Sequence, residues 1–243
     1  MADISPKEKK KKNSLIGILL AVLAALTIRS CAVEPYHIPS SSMVPTLLVG
    51  DFLFISKYPY GFSKHSFIFS LPLIPKGRLF GHEPKRGDVV IFRQLQSDKD
   101  YIKRVIGLPG ETVQMQGGRL YINDTLVPRI NPTLKEITTE QGEKLTVTQY
   151  TEILPGGKEH TIYERSDFMP FDDTSPFVIP QGYYFMMGDN RDNSQDSRYF
   201  GPVSFEALEG RAEFIFFSLS DRFLKFWKWP KTLRFDRFFR EIQ

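Results

Sequence analysis

Three consecutive serines lie between two prolines in the segment IPSSSMVPT, residues 38–46. A serine hydroxyl can act as the nucleophile of an acyl-transfer reaction when a neighbouring base takes its proton. Serines in this setting also form solvated turns or cap the N-terminus of a helix, and those are their commoner uses. The segment alone therefore leaves a catalytic and a purely structural interpretation open.

A lysine, Lys103, interrupts the apolar run of the segment DYIKRVIGLPG, residues 100–110. Lysine is a base only when neutral, and burial beside apolar groups lowers its pKa by disfavouring the charged form. In an extended segment Lys103 shares one face with Tyr101 and Val105, which makes a dry environment available. The alternative is an exposed strand lysine that discourages edge-to-edge pairing.

A third polar block, GDNRDNSQDSR, covers residues 188–198. It could be a simple polar loop or a degenerate calcium loop, but the Gly and the final Glu of a calcium loop are missing at their required offsets. A Ser-His-Asp site is not favoured, since only four histidines occur and no G-x-S-x-G elbow is present. The single cysteine, Cys31, excludes an internal disulfide and a multi-cysteine metal site.

Taken together and in this order, the three blocks resemble bacterial type I signal peptidases. The resemblance also includes PTLLVGD after the serines and RGDVV at residues 86–90, and it covers residues 14–110 and 182–203. It implies a membrane-bound serine endopeptidase that removes N-terminal signal peptides from exported proteins. Such an enzyme cuts after small-x-small sites with a Ser/Lys dyad, through an acyl-enzyme intermediate, and needs no metal ion or organic cofactor.

The resemblance also implies roles for individual residues. Ser42 is the expected nucleophile and Lys103 its general base, and Ser40 donates its hydroxyl to the oxyanion beside the backbone N–H of Ser42. Ser41 stands where many members of the family have glycine, so only the offset to Pro45 assigns Ser42 as the nucleophile.

Further residues are expected to support or line the site. Ser194 would orient the lysine, and Asp196 would form a supporting ion pair with Arg198. The substrate side chains would lie in pockets formed by Tyr36, Ile38, Pro39, Met43, Tyr101 and Ile102.

An apolar run, LIGILLAVLAALTI, follows a cluster of lysines and ends before Arg29. As a helix its fourteen residues cover only ~21 Å of a ~30 Å hydrocarbon layer, so the span must continue to about Val33 with Arg29 snorkelling. The sequence thus predicts a cytoplasmic basic tail at 1–13 and a transmembrane anchor at 14–33. A removable signal peptide is the alternative, because Ser30-Cys31-Ala32 imitates a cleavage site.

Short runs rich in Val, Ile, Phe and Tyr, bounded by Gly, Pro or Asp, predict strands in the rest of the chain. They lie at 51–56, 88–93, 101–106, 182–187 and 212–217. We predict a mainly β fold: a signal-peptidase-like antiparallel catalytic region at 34–112 and 182–243, with an inserted β subdomain at 113–181. The apolar segment 66–80, broken by two prolines, is expected to be a surface loop.

The net charge of +4 lies largely in the N-terminal lysines and in the aromatic and basic run 222–239. This clustering favours a membrane surface over nucleic acid. We expect secretory preproteins and the lipid bilayer as partners, without nucleic acid or an obligate protein partner. The catalytic region is expected on the periplasmic or outer face of the inner (plasma) membrane.

Two other functions remain open from the sequence. One is a Ser/Lys processing enzyme with a narrower substrate range, and the other is a catalytically silent, membrane-anchored binding protein.

Overall fold

A computed structural model describes residues 16–18, 20, 33–61, 81–94, 97–139, 142–220 and 229–242. The predicted basic tail, most of the predicted anchor, the predicted loop 66–80 and part of the C-terminal run lie outside these residues. Within the described ranges no helix has both the length and the apolar character required to cross a bilayer.

The described residues form short strands with a few single-turn helices. The strands are β1 Val33–His37, β2 Asp51–Ser56, β3 Val89–Gln94, β4 Lys99–Gly107, β5 Thr112–Gln116, β6 Arg119–Ile122, β7 Thr125–Leu126, β8 Arg129–Thr138, β9 Lys144–Ile153, β10 Glu159–Glu164, β11 Phe177–Val178, β12 Tyr183–Met187, β13 Val203–Ser204, β14 Leu208–Ser218 and β15 Arg240–Glu241. The α-helices are α1 Ser197–Phe200 and α2 Trp229–Thr232, and residues 16–18 and 20 are also helical. Turns of 3-10 helix occupy Tyr58–Tyr60, Arg191–Asn193, Phe205–Ala207 and Phe235–Arg237.

The strands form one large sheet and two small ones. The large sheet has the order β1-β2-β14-β3-β4-β12-β13, with β15 added beside β14. The small sheets are β10-β9-β8 and β11-β5-β6-β7, and all their strands lie between Thr112 and Val178. Every strand pair of the described residues is antiparallel, so the predicted mainly antiparallel β fold is confirmed.

Each of the five predicted strands belongs to the large sheet, as β2, β3, β4, β12 and β14. In β2, buried and half-buried residues alternate, with Asp51, Leu53 and Ile55 on the inner side. This alternation follows from the two-residue period of a strand. In β3 and β4, by contrast, several consecutive residues are buried because these central strands are covered on both faces.

The serine segment connects β1 to β2 and is held by the core below it. Met43 and Leu47 have no exposed surface and pack in one cluster with Leu53, Ile55 and residues of neighbouring strands. Two anchored apolar side chains on either side of a turn fix its backbone, since a well-packed interior has little free volume. The position of Ser42 therefore depends on the core.

The C-terminal segment returns to the base of this turn through a buried arginine. Arg237 forms an ion pair with Asp51 and donates to the carbonyl of Thr46 at 2.9 Å. Asp51 has no exposed surface, and it also accepts a hydrogen bond from Ser218 at 2.6 Å. The C-terminus thus closes the large sheet behind the serine segment.

We expect Arg237→Met to lower the free energy of unfolding by roughly 3–5 kcal/mol, because it leaves the carboxylate of Asp51 buried without its main counter-charge. Urea unfolding of the full chain in detergent, followed by far-UV circular dichroism, measures this change. Arg240→Met is the matched control: Arg240 is exposed, so its replacement should change the same quantity by about 0.5 kcal/mol or less. Equal losses in the two variants would contradict the structural role of Arg237.

Candidate active site

Ser42 and Lys103 meet at the floor of an open cleft. Lys103 Nζ lies 2.7 Å from Ser42 Oγ and donates to the carbonyl of Ile102 at 2.8 Å. Both side chains are buried, with Ser42 8% and Lys103 3% exposed. The structure therefore brings the predicted nucleophile and base, 61 residues apart in the chain, into hydrogen-bond contact.

The surroundings of Lys103 are apolar on the face predicted from strand periodicity. Val105, on the same face of β4, is fully buried, and the Nζ lies 5.6 Å from the ring centroid of Tyr101. Val90, opposite Lys103 on β3, is also fully buried. This burial lowers the pKa of Lys103 to about 8, against the opposing effects of the carboxylates of Asp196 and Asp189.

The two carboxylates nearest the lysine each have an arginine of their own. Arg104 Nε and Nη2 donate to the two oxygens of Asp189 at 2.8 and 2.7 Å. Arg198 Nε and Nη2 donate to Asp196 at 2.9 Å each. All four side chains are buried, and the arginines hold the pKa values of both carboxyls below their usual range despite the cost of burial. The predicted Asp196–Arg198 ion pair is thus present in the structure.

Two asparagines of the third block hold the serine segment by hydrogen bonds. The side chain of Asn190 donates to the carbonyl of Ser41 at 3.0 Å, and its backbone N–H donates to the carbonyl of Ser42 at 3.1 Å. Asn193 Nδ2 donates to Ser41 Oγ at 2.9 Å. The third block therefore fixes the orientation of the nucleophile segment as well as contributing Ser194.

Ser194 lies against Gly188 beside the nucleophile segment. A Cβ placed on Gly188 would clash with Ser194 Oγ and with the carbonyl of Ser42, so only glycine allows this close approach. The hydrogen bonds of Lys103 go to Ser42 and Ile102, and none goes to Ser194. The orienting role of Ser194 stays a prediction.

The cleft has a volume of about 980 Å³ and contains most of the predicted substrate-contacting residues. Ser40 is exposed on its wall, and the predicted lining residues found there are Tyr36, Ile38, Pro39, Tyr101 and Ile102. Met43 differs: it is fully buried in the core cluster below the serine segment, because that segment turns its side chain inward.

The cleft also has a wall that the sequence did not predict. Met169, Pro170 and Phe171, from the segment between β10 and β11, line it together with the serines. Phe171 adopts a φ of 72°, which is strained for a bulky side chain, and its ring packs edge-on against Tyr199. Nothing in the spacing of the chain predicts this contact, because it depends on how the insertion folds back.

The positioning roles of Arg104, Gly188, Asp189 and Asn190 were also missed by sequence reasoning. All four lie inside the predicted blocks, next to predicted site residues. Their types carried a signal, since an arginine or aspartate next to a buried catalytic residue requires a partner of opposite charge. The sequence alone could not pair Arg104 with Asp189 across 85 residues.

The arrangement can perform acyl transfer. A hydroxyl is in contact with an amine whose pKa is lowered towards neutrality, at the floor of an open cleft, on a turn held by the core and by side-chain amides. Asp189 and Asp196 are engaged by Arg104 and Arg198, so neither is available as a metal ligand.

Comparisons with known proteins identify the family of this chain. Residues 11–217 match the family described as signal peptidase, peptidase S26. The chain is 35% identical to a signal peptidase I of Rickettsia typhi, over 99% of this chain and 97% of that protein. It is 37% identical to a signal peptidase I of Rickettsia canadensis, over 91% of this chain and 89% of that protein.

Among solved structures, a signal peptidase I of Enterococcus faecalis V583 is 29% identical, with a TM-score of 0.33 over 54% of this chain and 97% of that one. The sequence relatives carry the assignment, since two of them align with nearly the whole chain at more than one-third identity. The chain therefore belongs to the signal peptidase, peptidase S26, family and is a serine peptidase, as its sequence predicted.

Proposed function

We propose that this chain is a membrane-bound endopeptidase that removes N-terminal signal peptides from exported proteins with a Ser42/Lys103 dyad. The single observation that carries the proposal is the 2.7 Å contact between Ser42 Oγ and a buried Lys103 Nζ in an open cleft. The names of the relatives support the same substrate class.

In the proposed reaction Ser42 Oγ attacks the scissile carbonyl while neutral Lys103 takes the hydroxyl proton. The oxyanion accepts hydrogen bonds from the Ser40 hydroxyl and the Ser42 backbone N–H. Lys103 then gives its proton to the leaving amine, which departs with the mature chain and leaves an ester on Ser42. Lys103 next activates a water molecule, which hydrolyses this ester and frees the signal peptide.

Four groups support the dyad in this proposal. Ser194 holds the neutral amine towards Ser42, and the carbonyl of Ile102 accepts one of its N–H groups. Asp196 and Arg198 fix the segment that carries Ser194. The reaction needs no metal ion or organic cofactor.

The cleft suits an extended peptide with small side chains near the scissile bond. Ile38 and Ile102 are nearly fully buried at its floor, so the space for a substrate side chain there is small and apolar. We therefore propose cleavage after small-x-small sites.

The enzyme meets the preproteins at the outer face of the inner (plasma) membrane. The segment 14–33 anchors it there as a single span, with the N-terminus in the cytoplasm. No obligate partner protein is required.

The rival from another class is a catalytically silent binding protein. A binding surface does not require a lysine with a lowered pKa in contact with a serine, whereas a Ser/Lys peptidase does. The narrower processing peptidase differs only in substrate range. Incubation of the purified protein with several secretory precursors, followed by sequencing of each new N-terminus, separates the three possibilities.

Ser42→Ala should abolish precursor cleavage, because it removes the hydroxyl that is in hydrogen-bond contact with Lys103. Ser41→Ala is its matched control and should retain most activity, since the Ser41 hydroxyl accepts a hydrogen bond from Asn193, whereas the contact with Lys103 is made by Ser42. A gel-based assay measures the extent of precursor cleavage by each of the two variants. An inactive Ser41→Ala variant together with an active Ser42→Ala variant would identify Ser41, and not Ser42, as the nucleophile.

Ser40→Ala should fold normally and lose on the order of 10²-fold in kcat, the usual effect of removing one oxyanion donor. KM should change little, because the hydrogen bond forms fully only in the transition state. Steady-state kinetics on a peptide substrate measure both constants. An unchanged kcat would remove Ser40 from the mechanism.

The rate should rise with pH as Lys103 loses its proton. With a pKa of about 8, only about one molecule in ten has a neutral lysine at pH 7, so kcat/KM should increase through pH 8 and level off above it. Lys103→Arg should be inactive, because guanidinium keeps its proton at working pH. A pH profile of kcat/KM and an assay of the arginine variant test this. Substantial cleavage by that variant would require another base.

A further inference from the structure

Three carboxylates meet outside the dyad, and one of them, Asp192, lines the cleft. Glu164 ends β10, Asp172 lies in the segment between β10 and β11, and Asp192 lies in the 3-10 turn before Ser194. One oxygen from each carboxylate lies within 4.8 Å of the other two. The cluster therefore joins the insertion to the segment that carries Ser194.

Each of the three carboxylates has one oxygen that lacks a hydrogen-bond partner. These atoms are buried: Glu164 Oε1, Asp172 Oδ1 and Asp192 Oδ1. Glu164 is only 3% and Asp172 only 1% exposed. A buried carboxylate oxygen without a partner is costly, so three of them together point to a ligand that supplies positive charge.

The other oxygen of each carboxylate is engaged by the protein. Glu164 Oε2 pairs with Arg129, and Oδ2 of each aspartate accepts backbone N–H bonds. The side chains are therefore held in place while their second oxygens stay free.

The nearby arginines do not balance this negative charge. Arg129 is shared with Asp167, Arg191 is bonded to Glu152 by both terminal nitrogens, and Arg198 is bonded to Asp196. The cluster is short of positive charge.

We propose that Glu164, Asp172 and Asp192 bind one hard divalent cation, such as Ca²⁺, beside the cleft. Calcium takes carboxylate oxygens at about 2.3–2.6 Å, so two of its ligands can be separated by up to about 5 Å, which the observed cluster satisfies. Asp192 is half-buried, which leaves a route for the ion and for water ligands.

The ion would fix the insertion against the active-site wall. Asp172 directly follows Phe171, which lines the cleft, and Asp192 lies two residues before Ser194. A cation bonded to both holds these two walls at a set distance. The ligands come from three separate segments, which explains why the offsets of a calcium loop are missing from the sequence.

This proposal is independent of the proposed peptidase mechanism, because it is tested by binding. The full chain in detergent is treated with EDTA, dialysed, and titrated with CaCl₂ and, separately, MgCl₂ at constant ionic strength near pH 7.5. We expect a saturable rise in Tm of roughly 3 °C or more at ten times Kd, and a stoichiometry of one by calorimetry. The affinity should resemble that of weak sites, with Kd on the order of 10⁻⁴–10⁻³ M.

Asp172→Asn and Asp192→Asn should each abolish the rise in Tm, since each removes one charged ligand. Asp173→Asn is the matched control: it changes the neighbouring, exposed carboxylate, which accepts the N–H of Gly117 outside the cluster, and it should keep the full rise. If Asp172→Asn does not fold, the Tm rise of the Asp192→Asn variant tests the site, because Asp192 is only half-buried.

Two results would overturn the cation site. One is the absence of a saturable Tm rise with either ion in the wild-type chain, or a rise of equal size in the Asp192→Asn variant. The other is a Glu164→Gln variant that keeps the full calcium-dependent rise in Tm, which would show that Glu164 is not a ligand.

Discussion

The proposed chemistry depends on excluding water from the side chain of one lysine, Lys103. Lys103 lies in a cluster of buried residues that includes two carboxylates, and either of them unpaired would stabilise the ammonium and raise its pKa. Each carboxylate is instead bound by an arginine, Asp189 by Arg104 and Asp196 by Arg198. Desolvation then outweighs the remaining attraction, and the pKa of Lys103 decreases to about 8. The arginine pairs thus set the protonation state of a residue that they do not touch.

The large sheet makes this arrangement possible through the alternation of β4. Lys103 points to one side of the strand and Arg104 to the other, so the base and the arginine that neutralises Asp189 are adjacent in sequence. A shift of one residue in the register of β4 would exchange them. The pairing of β4 with both β3 and β12 prevents this, because Val90 lies opposite Lys103 on one side and Met187 lies opposite Arg104 on the other.

Much of the fold and the centre of the site could be read from the sequence. Runs rich in Val, Ile, Phe and Tyr between turn residues identified five strands of the large sheet, including β4, and the family resemblance carried by the serine and lysine blocks identified the two residues that meet. Contacts across the insertion were not predictable, because Phe171 and Asp172 reach the cleft only after two small sheets have formed.

The family resemblance implied a pocket-lining role for Met43, which lies next to Ser42 yet packs into the core. The direction of a side chain in an irregular turn has no periodicity to reveal it. The Arg237–Asp51 pair was hidden for a related reason, since 186 residues separate two charges that only the folded sheet brings together.

The site contains four buried cationic side chains, one lysine and three arginines, and their residue types explain why only Lys103 among the four can act as the base. Arg104, Arg191, Arg198 and Lys103 are all at least 95% buried, and desolvation disfavours the charge on each. A guanidinium keeps its proton under such conditions and is satisfied by paired carboxylates, as each arginine here is. The ammonium of a lysine can lose its proton instead, and Lys103 has a serine hydroxyl and a backbone carbonyl as neighbours, with no carboxylate bonded to it. Burial therefore strengthens three ion pairs and makes the fourth cation titrate, so the same dry environment that holds the site together also produces its base.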